Sequence, residues 1–182
     1  MRANKFLSVW NIILPICVLS LISLPAFAAE THDIYAQLSS SQTQTPAIND
    51  ALPVKMEQVD SIQGLELSGP KNEIIVKKTG TYFVMAAGQV GTKSSTTTGG
   101  WVDLWLTQNG KPINNTSSRL NVTDQKSTGV LITQSVLQLK AGDKIGTALG
   151  VSDNAQGLGL ISSRAEKNET PIPSMIFSMF KF

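Results

Sequence analysis

The fold class of this chain is decided by the stretch Ser174-Met175-Ile176-Phe177-Ser178-Met179-Phe180-Lys181-Phe182. Side chains alternate between the two faces of a strand. Ile176, Phe180 and Phe182 therefore share one face, and Met175, Phe177 and Met179 share the other. Because a chain end frays unless a sheet holds it, this apolar end predicts a strand that is paired inside a sheet.

Short apolar runs like this one recur along the chain. No stretch of eleven or more residues after residue 28 places apolar side chains at the helical spacing of i, i+3, i+4 and i+7. Turn residues separate the runs instead, including the hairpin signal Asn109-Gly110. The spacing predicts one all-β domain, a sandwich or a barrel, of about 8–10 antiparallel strands over residues 34–182. Strands are expected at 34–38, 52–59, 73–78, 80–90, 101–107, 129–139, 144–151, 158–163 and 174–182, with polar loops at 91–100 and 114–126 and a bulge or bend near 133–135.

The first 28 residues have the composition of a secretory signal peptide. Arg2 and Lys5 precede the apolar run 6–24, and Ala26-Phe27-Ala28 has the small-x-small pattern of a cleavage site. The alternative is an uncleaved membrane anchor, because the run approaches the length that spans a bilayer. We expect cleavage after Ala28, a short tail at residues 29–33, and export to the periplasm, the cell surface or the medium.

Cysteine and charge restrict the chemistry of the mature chain. Cys17 is the only cysteine, so no disulfide or thiolate chemistry remains once the signal peptide is removed. Loss of Arg2 and Lys5 leaves 13 basic residues against 13 acidic ones. A neutral chain with scattered charges does not indicate binding to nucleic acid or to an anionic membrane.

Four motifs resemble the globular head of complement component 1q. They are GTYFV at 80–84, WVDLWLTQNG at 101–110, VLQLKAGDKI at 136–145 and FSMF at 177–180, and they occur in the order of that family. Val84 stands where the family usually has Phe, Met179 stands where it usually has Gly, and the chain has no Gly-x-y collagen stalk. The resemblance implies a jelly roll of the complement-1q and tumour-necrosis-factor type, which assembles as a homotrimer and acts by binding.

Two strands are apolar on both faces, which independently predicts an oligomer. One is the closing strand, and the other is the run 80–90. Because no helix is predicted to cover a second face, a neighbouring subunit is the expected cover. The alternative is a sandwich that buries both faces within one chain. We expect Ile176, Phe180 and Phe182 to point into the core, and the trimer interface to contain Phe83, Met85, Met175, Phe177 and Met179.

A second candidate surface contains two tryptophans. Trp101, Asp103 and Trp105 fall on one face of their predicted strand, beside the polar loop 91–100. A flat indole can stack on a sugar ring, and a carboxylate can accept hydrogen bonds from hydroxyl groups. These three residues are a candidate face for a protein or glycan ligand. The alternative is that they pack at a sandwich edge or a subunit interface.

No catalytic, metal-binding or cofactor-binding residue is predicted. His32, the only histidine, follows the predicted cleavage site closely, so a His-dependent triad has no base inside the domain. Asp124, Asp143 and Asp153 have no calcium-loop spacing and are expected to form turns. The sequence favours an exported, non-enzymatic, homotrimeric binding module. The alternatives are a structural envelope component and, with less support, a carboxylate-based hydrolase.

Overall fold

The computed structural model describes residues 33–96, 98–163, 167 and 170–182. The predicted signal peptide lies outside the described residues, as does most of the predicted tail. Among the described residues, thirteen strands and one short 3-10 helix, Asn154–Gln156, are present. The strands are β1 Tyr35–Ser40, β2 Leu52–Pro53, β3 Gln58–Gln63, β4 Leu65–Leu67, β5 Glu73–Val76, β6 Gly80–Thr92, β7 Gly100–Gln108, β8 Lys111–Pro112, β9 Ser118–Val122, β10 Gly129–Leu139, β11 Lys144–Val151, β12 Leu158–Leu160 and β13 Met175–Lys181.

These strands form two sheets. The first sheet has the order β10-β6-β13-β1-β3, and β12 also pairs with β6. The second sheet has the order β4-β5-β11-β7-β8, while β2 pairs with β11 and β9 pairs with β7. Each of these strand pairs is antiparallel. The predicted single jelly-roll sandwich is confirmed, and nine of the described strands have four or more residues.

The core consists of the side chains that point between the two sheets. On β6 these are Tyr82, Val84 and Ala86, and all three are fully buried. On β7 they are Val102, Leu104 and Leu106, which are equally buried. Alternation in both strands places every second side chain on an outward face, and the outward faces carry the candidate functional residues.

The two faces of β13 are the reverse of the prediction. Met175, Phe177 and Met179 are buried inside the chain and are at most 1% exposed, so they cannot face a neighbouring subunit. Ile176 and Phe180 point outward instead, and Phe182 beyond the strand is also exposed. The reason is complementary size across the pair of strands: Phe177 lies opposite Ala86, and Met175 lies opposite Gly88. Small residues on β6 leave room for the large ones of β13 inside the sandwich.

Three local predictions are also wrong. The strand expected at 52–59 is divided into β2 and the start of β3, and the loop expected at 114–126 contains β9. The bulge expected near 133–135 is absent, because β10 pairs with β6 in one unbroken register from Gly129 to Leu139. At the predicted bulge, Thr133 points inward and donates a hydrogen bond to the carbonyl oxygen of Thr116, so a polar residue occupies a core position without a change of register.

The predicted hairpin turn is confirmed. Asn109 and Gly110 have φ angles of 54° and 75°, the left-handed conformation that a tight turn between antiparallel strands requires. Among the described residues, no helix has the length and apolar character needed to cross a membrane.

Candidate functional site

Strand β7 places the predicted ligand residues on the outer face of the second sheet. Trp101, Asp103 and Trp105 alternate with the buried Val102 and Leu104, and each is partly exposed. The sequence prediction that the three side chains share one face is therefore correct. Their role as a ligand face stays a prediction.

Asp103 already has a partner within the chain. Arg119, directly opposite on β9, donates from Nε to Oδ1 at 2.6 Å and from Nη2 to Oδ2 at 2.7 Å. This hydrogen bond raises the pKa of the Arg119 guanidinium further above its ordinary value. The same guanidinium stacks 4.0 Å from the ring centroid of Trp101. The carboxylate and one indole face are thus engaged within the chain, and Trp105 is the tryptophan of this face without a stacked guanidinium among the described residues.

Trp105 separates two cavities. One has a volume of about 250 Å³ and lies towards the hairpin end of the sheet, where Glu73, Thr107 and Pro112 line it. The other has a volume of about 230 Å³ and lies towards Trp101, where Asp50 and Gly150 line it. Both cavities are also lined by Ala51 and Trp105. We call the two cavities together the Trp105 groove.

Two small residues on β11, Ala148 and Gly150, line the floor of the Trp105 groove. The outward positions of this strand hold Gly146, Ala148 and Gly150, while Ile145 and Leu149 point into the core. A Cβ on Gly150 would lie 3.4 Å from Cη2 of Trp105, so the indole rests on the glycine backbone. Because β11 lies between β5 and β7 and carries no large side chain at these outward positions, the surface of the sheet is concave here.

Gly146 allows atoms of three polar residues to pack closely against β11. A Cβ at this position would lie 2.6 Å from the carbonyl oxygen of Asn72, 3.2 Å from Oγ1 of Thr107 and 3.3 Å from Cγ of Glu73. Real Cβ atoms do not tolerate the first of these distances, so glycine is required for this packing. All three neighbours line the first cavity.

Two polar groups of the groove have no partner among the described residues. The Nε1–H of Trp105 is shielded from water and meets no acceptor. The Glu73 carboxylate forms no hydrogen bond or ion pair with the described residues, although the side chain is only half-exposed. An unpaired group that is shielded from water, such as the Trp105 N–H, needs an explanation in a folded protein, and Trp105 and Glu73 line the same cavity.

The outer face of the first sheet is the second surface with functional character. Phe83 and Phe180 pack with ring centroids 5.1 Å apart, and Phe180 meets Phe182 at 5.4 Å. Phe83 and Met85 point outward and are partly exposed, as their predicted interface role requires. Further exposed apolar side chains on this face include Tyr35, Val130, Ile132 and Val136.

The aspartates considered for calcium lie in three separate turns. Asp124 accepts backbone hydrogen bonds from Lys126 and Ser127, and Asp153 caps the 3-10 helix. Asp143 accepts from Asn109, Gln108 and the Lys140 amide, and these hydrogen bonds lower its pKa. Their predicted turn-forming role is confirmed. No group of three or more potential metal ligands occurs within the part of the chain that the structure describes.

Arg119 and Glu73 were missed by sequence reasoning. Both come from strands other than β7, so the sequence offered no spacing that links them to Trp105. One signal was available: the alternation Gly146-x-Ala148-x-Gly150 in a predicted strand indicates one face without bulky side chains.

No protein-family model matches the chain, and a search of curated proteins finds no match. Solved structures do match. The globular domain of zebrafish complement 1qA protein is similar over 82% of this chain and 96% of that domain, with a TM-score of 0.55 and 14% sequence identity. This similarity agrees with the fold implied by the four sequence motifs, and the chain has the complement-1q-like jelly-roll fold.

Proposed function

We propose that this jelly roll is an exported, non-enzymatic binding module that assembles as a homotrimer and presents its surface loops to a protein or glycan partner. Export is supported by the signal-peptide pattern of residues 1–28. A binding role is supported at the level of the fold by the likeness to a complement 1qA globular domain.

One observation carries the homotrimer. The outward positions of β10, β6, β13 and β1 hold no Asp, Glu, Lys, Arg or His among the described residues. The surface of a soluble protein is normally rich in charge, whereas depletion of charge and enrichment in Phe, Tyr and Met are typical of the centre of a protein interface. The outward residues are Val130, Ile132, Gln134, Val136 and Gln138 on β10; Thr81, Phe83, Met85, Ala87 and Gln89 on β6; Ile176, Ser178 and Phe180 on β13; and Tyr35, Gln37 and Ser39 on β1.

Burial of the exposed apolar side chains on this face would supply a free energy of the order needed for association. Phe180, Ile132, Val136 and Val130 are between 42% and 65% exposed. Covering each of them would contribute roughly 1 kcal/mol, half the value for complete burial of such a side chain. Together with Phe182 and the aromatic pair Phe83–Phe180, this area can offset the cost of association. The expectation of three subunits, rather than two or four, comes from the family resemblance.

The test compares two isoleucines that differ mainly in location. Ile132 lies on the outer face of the first sheet and is 49% exposed, while Ile48 lies outside the strands and is 46% exposed. We expect multi-angle light scattering to give the mass of three chains for residues 29–182 and for Ile48→Asp. Ile132→Asp should give the mass of one chain with an unchanged circular dichroism spectrum. A wild-type monomer at micromolar concentration would refute the trimer, and a trimeric Ile132→Asp would place the interface elsewhere.

Export has its own test. When the full chain is expressed in a bacterial host, the periplasm or the medium should contain a protein with the intact mass of residues 29–182, which begins at Ala29. Retention of the full-length mass in the membrane fraction would support the uncleaved anchor.

A further inference from the structure

We propose that the first cavity of the Trp105 groove binds one ring of a neutral saccharide. The inference rests on the proposed binding function and adds to it the ligand class and the site. It places the site on the second sheet, on the face opposite to the proposed trimer interface.

The shape of the cavity fits a small ring. Its volume of about 250 Å³ is below the range that holds drug-sized ligands. The indole of Trp105 supplies one wall, and Pro53, Pro70 and Pro112 supply further rigid apolar surface. A pyranose presents a face of C–H groups that packs on such a wall while its hydroxyl groups point away from it.

The polar groups of the cavity suit a ligand that donates hydrogen bonds. The Glu73 carboxylate has no partner among the described residues, and the side chains of Asn72 and Thr107 carry additional acceptor oxygens. Sugar hydroxyl groups are donors that can satisfy such acceptors. A proline-rich peptide fits less well, because proline has no backbone N–H.

The hydrogen-bond donor of Trp105 also fits a ligand that carries hydroxyl groups. The unpaired Nε1–H of Trp105 needs an acceptor, and a hydroxyl or ring oxygen can accept as well as donate. Because this N–H is shielded in the free protein, a small rotation of the indole must accompany the contact. A change in tryptophan fluorescence on binding is therefore expected.

The charges around the cavity favour a neutral ligand. Among the described residues, no lysine or arginine lines it, which disfavours a sulfated or sialylated sugar. Glu73 is the single acidic residue in the part of the lining that the structure describes, and the exposed Lys71 and Lys111 directly adjoin lining residues in the sequence. These two cations offset the attraction that one carboxylate would exert on a cationic ligand.

The experiment applies the protein, residues 29–182, to an array of neutral oligosaccharides, sialylated and sulfated oligosaccharides, and proline-rich and lysine-rich peptides. We expect selective binding to neutral oligosaccharides. The best neutral oligosaccharide is then titrated by fluorescence into Trp101→Phe, in which Trp105 is the only tryptophan once the signal peptide is removed.

Matched variants locate the site. Trp105→Ala should weaken binding by about tenfold or more, as truncation of a buried aromatic contact usually does. Trp101→Ala, which removes the same side chain from the other cavity, should change it less than about twofold. Glu73→Gln alters a partly exposed group that has no partner among the described residues, so it should leave folding intact and weaken binding by about tenfold.

Several outcomes would overturn the inference. These are binding only to charged sugars or peptides, no binding anywhere on the array, or equal effects of Trp101→Ala and Trp105→Ala. Light scattering on the same samples keeps the two proposals separate. A trimer that binds no neutral sugar contradicts the saccharide site alone, and a monomer that binds through Trp105 contradicts the trimer alone.

Discussion

Two phenylalanines of β13 offer a direct test of which face of this strand is buried. Phe177 is completely buried between the sheets, whereas Phe180 is 42% exposed on the outer face of the first sheet. Truncation of a buried Phe to Ala typically costs about 3–5 kcal/mol, because it removes apolar contacts and leaves a cavity. For a chain of this size each kcal/mol lowers the melting temperature by roughly 2–4 °C, so Phe177→Ala should lower it by roughly 6–20 °C.

Phe180→Ala should behave differently. The Phe180 ring packs on Phe83 and Phe182, and its removal should cost the single chain about 1–2 kcal/mol. Because association stabilises the folded state by mass action, the wild-type melting temperature should rise with protein concentration. Phe180→Ala should weaken that dependence, and Phe177→Ala should preserve it.

The assay is differential scanning fluorimetry of both variants and the wild type over a hundredfold range of concentration. The assignment of faces would be refuted if Phe177→Ala lowered the melting temperature less than Phe180→Ala in dilute solution. A concentration dependence lost in Phe177→Ala and kept in Phe180→Ala would refute it as well.

Three further predictions concern the turns and the Arg119 cluster. The pKa of Asp143 is lowered in the folded state, so its stabilising contribution is present above about pH 4 and is lost as the pH falls through the folded pKa. In urea denaturation at a series of pH values, Asp143→Asn should therefore lose less unfolding free energy between pH 5 and pH 2 than the wild type does. Gly110→Ala forces a side chain into a left-handed turn, so chemical denaturation should show a loss of about 1–2 kcal/mol, and no loss would mean that the turn relaxes freely. Arg119→Ala removes an exposed ion pair with Asp103, so the same assay should show almost unchanged stability, while a clear loss of stability would reveal a structural role for the cluster.

The sequence predicted the sheet architecture because alternation and turn residues are local signals. Residues 129–139, for example, were assigned to a strand with the observed bounds. The faces of β13 could not be assigned, because both contain Phe and the choice depends on Ala86 and Gly88 in a partner strand whose register is not local information. The same limit applies to the groove. Trp105 was identified from alternation within β7, whereas Glu73 and Gly146 reach it only through strand pairing.

The position of β13 has a consequence for how the protein is made. This strand lies in the interior of the first sheet, between β6 and β1, although it is the last described strand in sequence. The ribosome therefore synthesises every other described strand before the first sheet can close, and β1, which can pair earlier with β3, lacks its second partner until a segment about 140 positions away has been made. This order of synthesis agrees with the proposed export, because a chain that remains open until residues 175–181 have been synthesised can thread through a secretion channel. A nascent chain arrested before these residues should remain sensitive to protease.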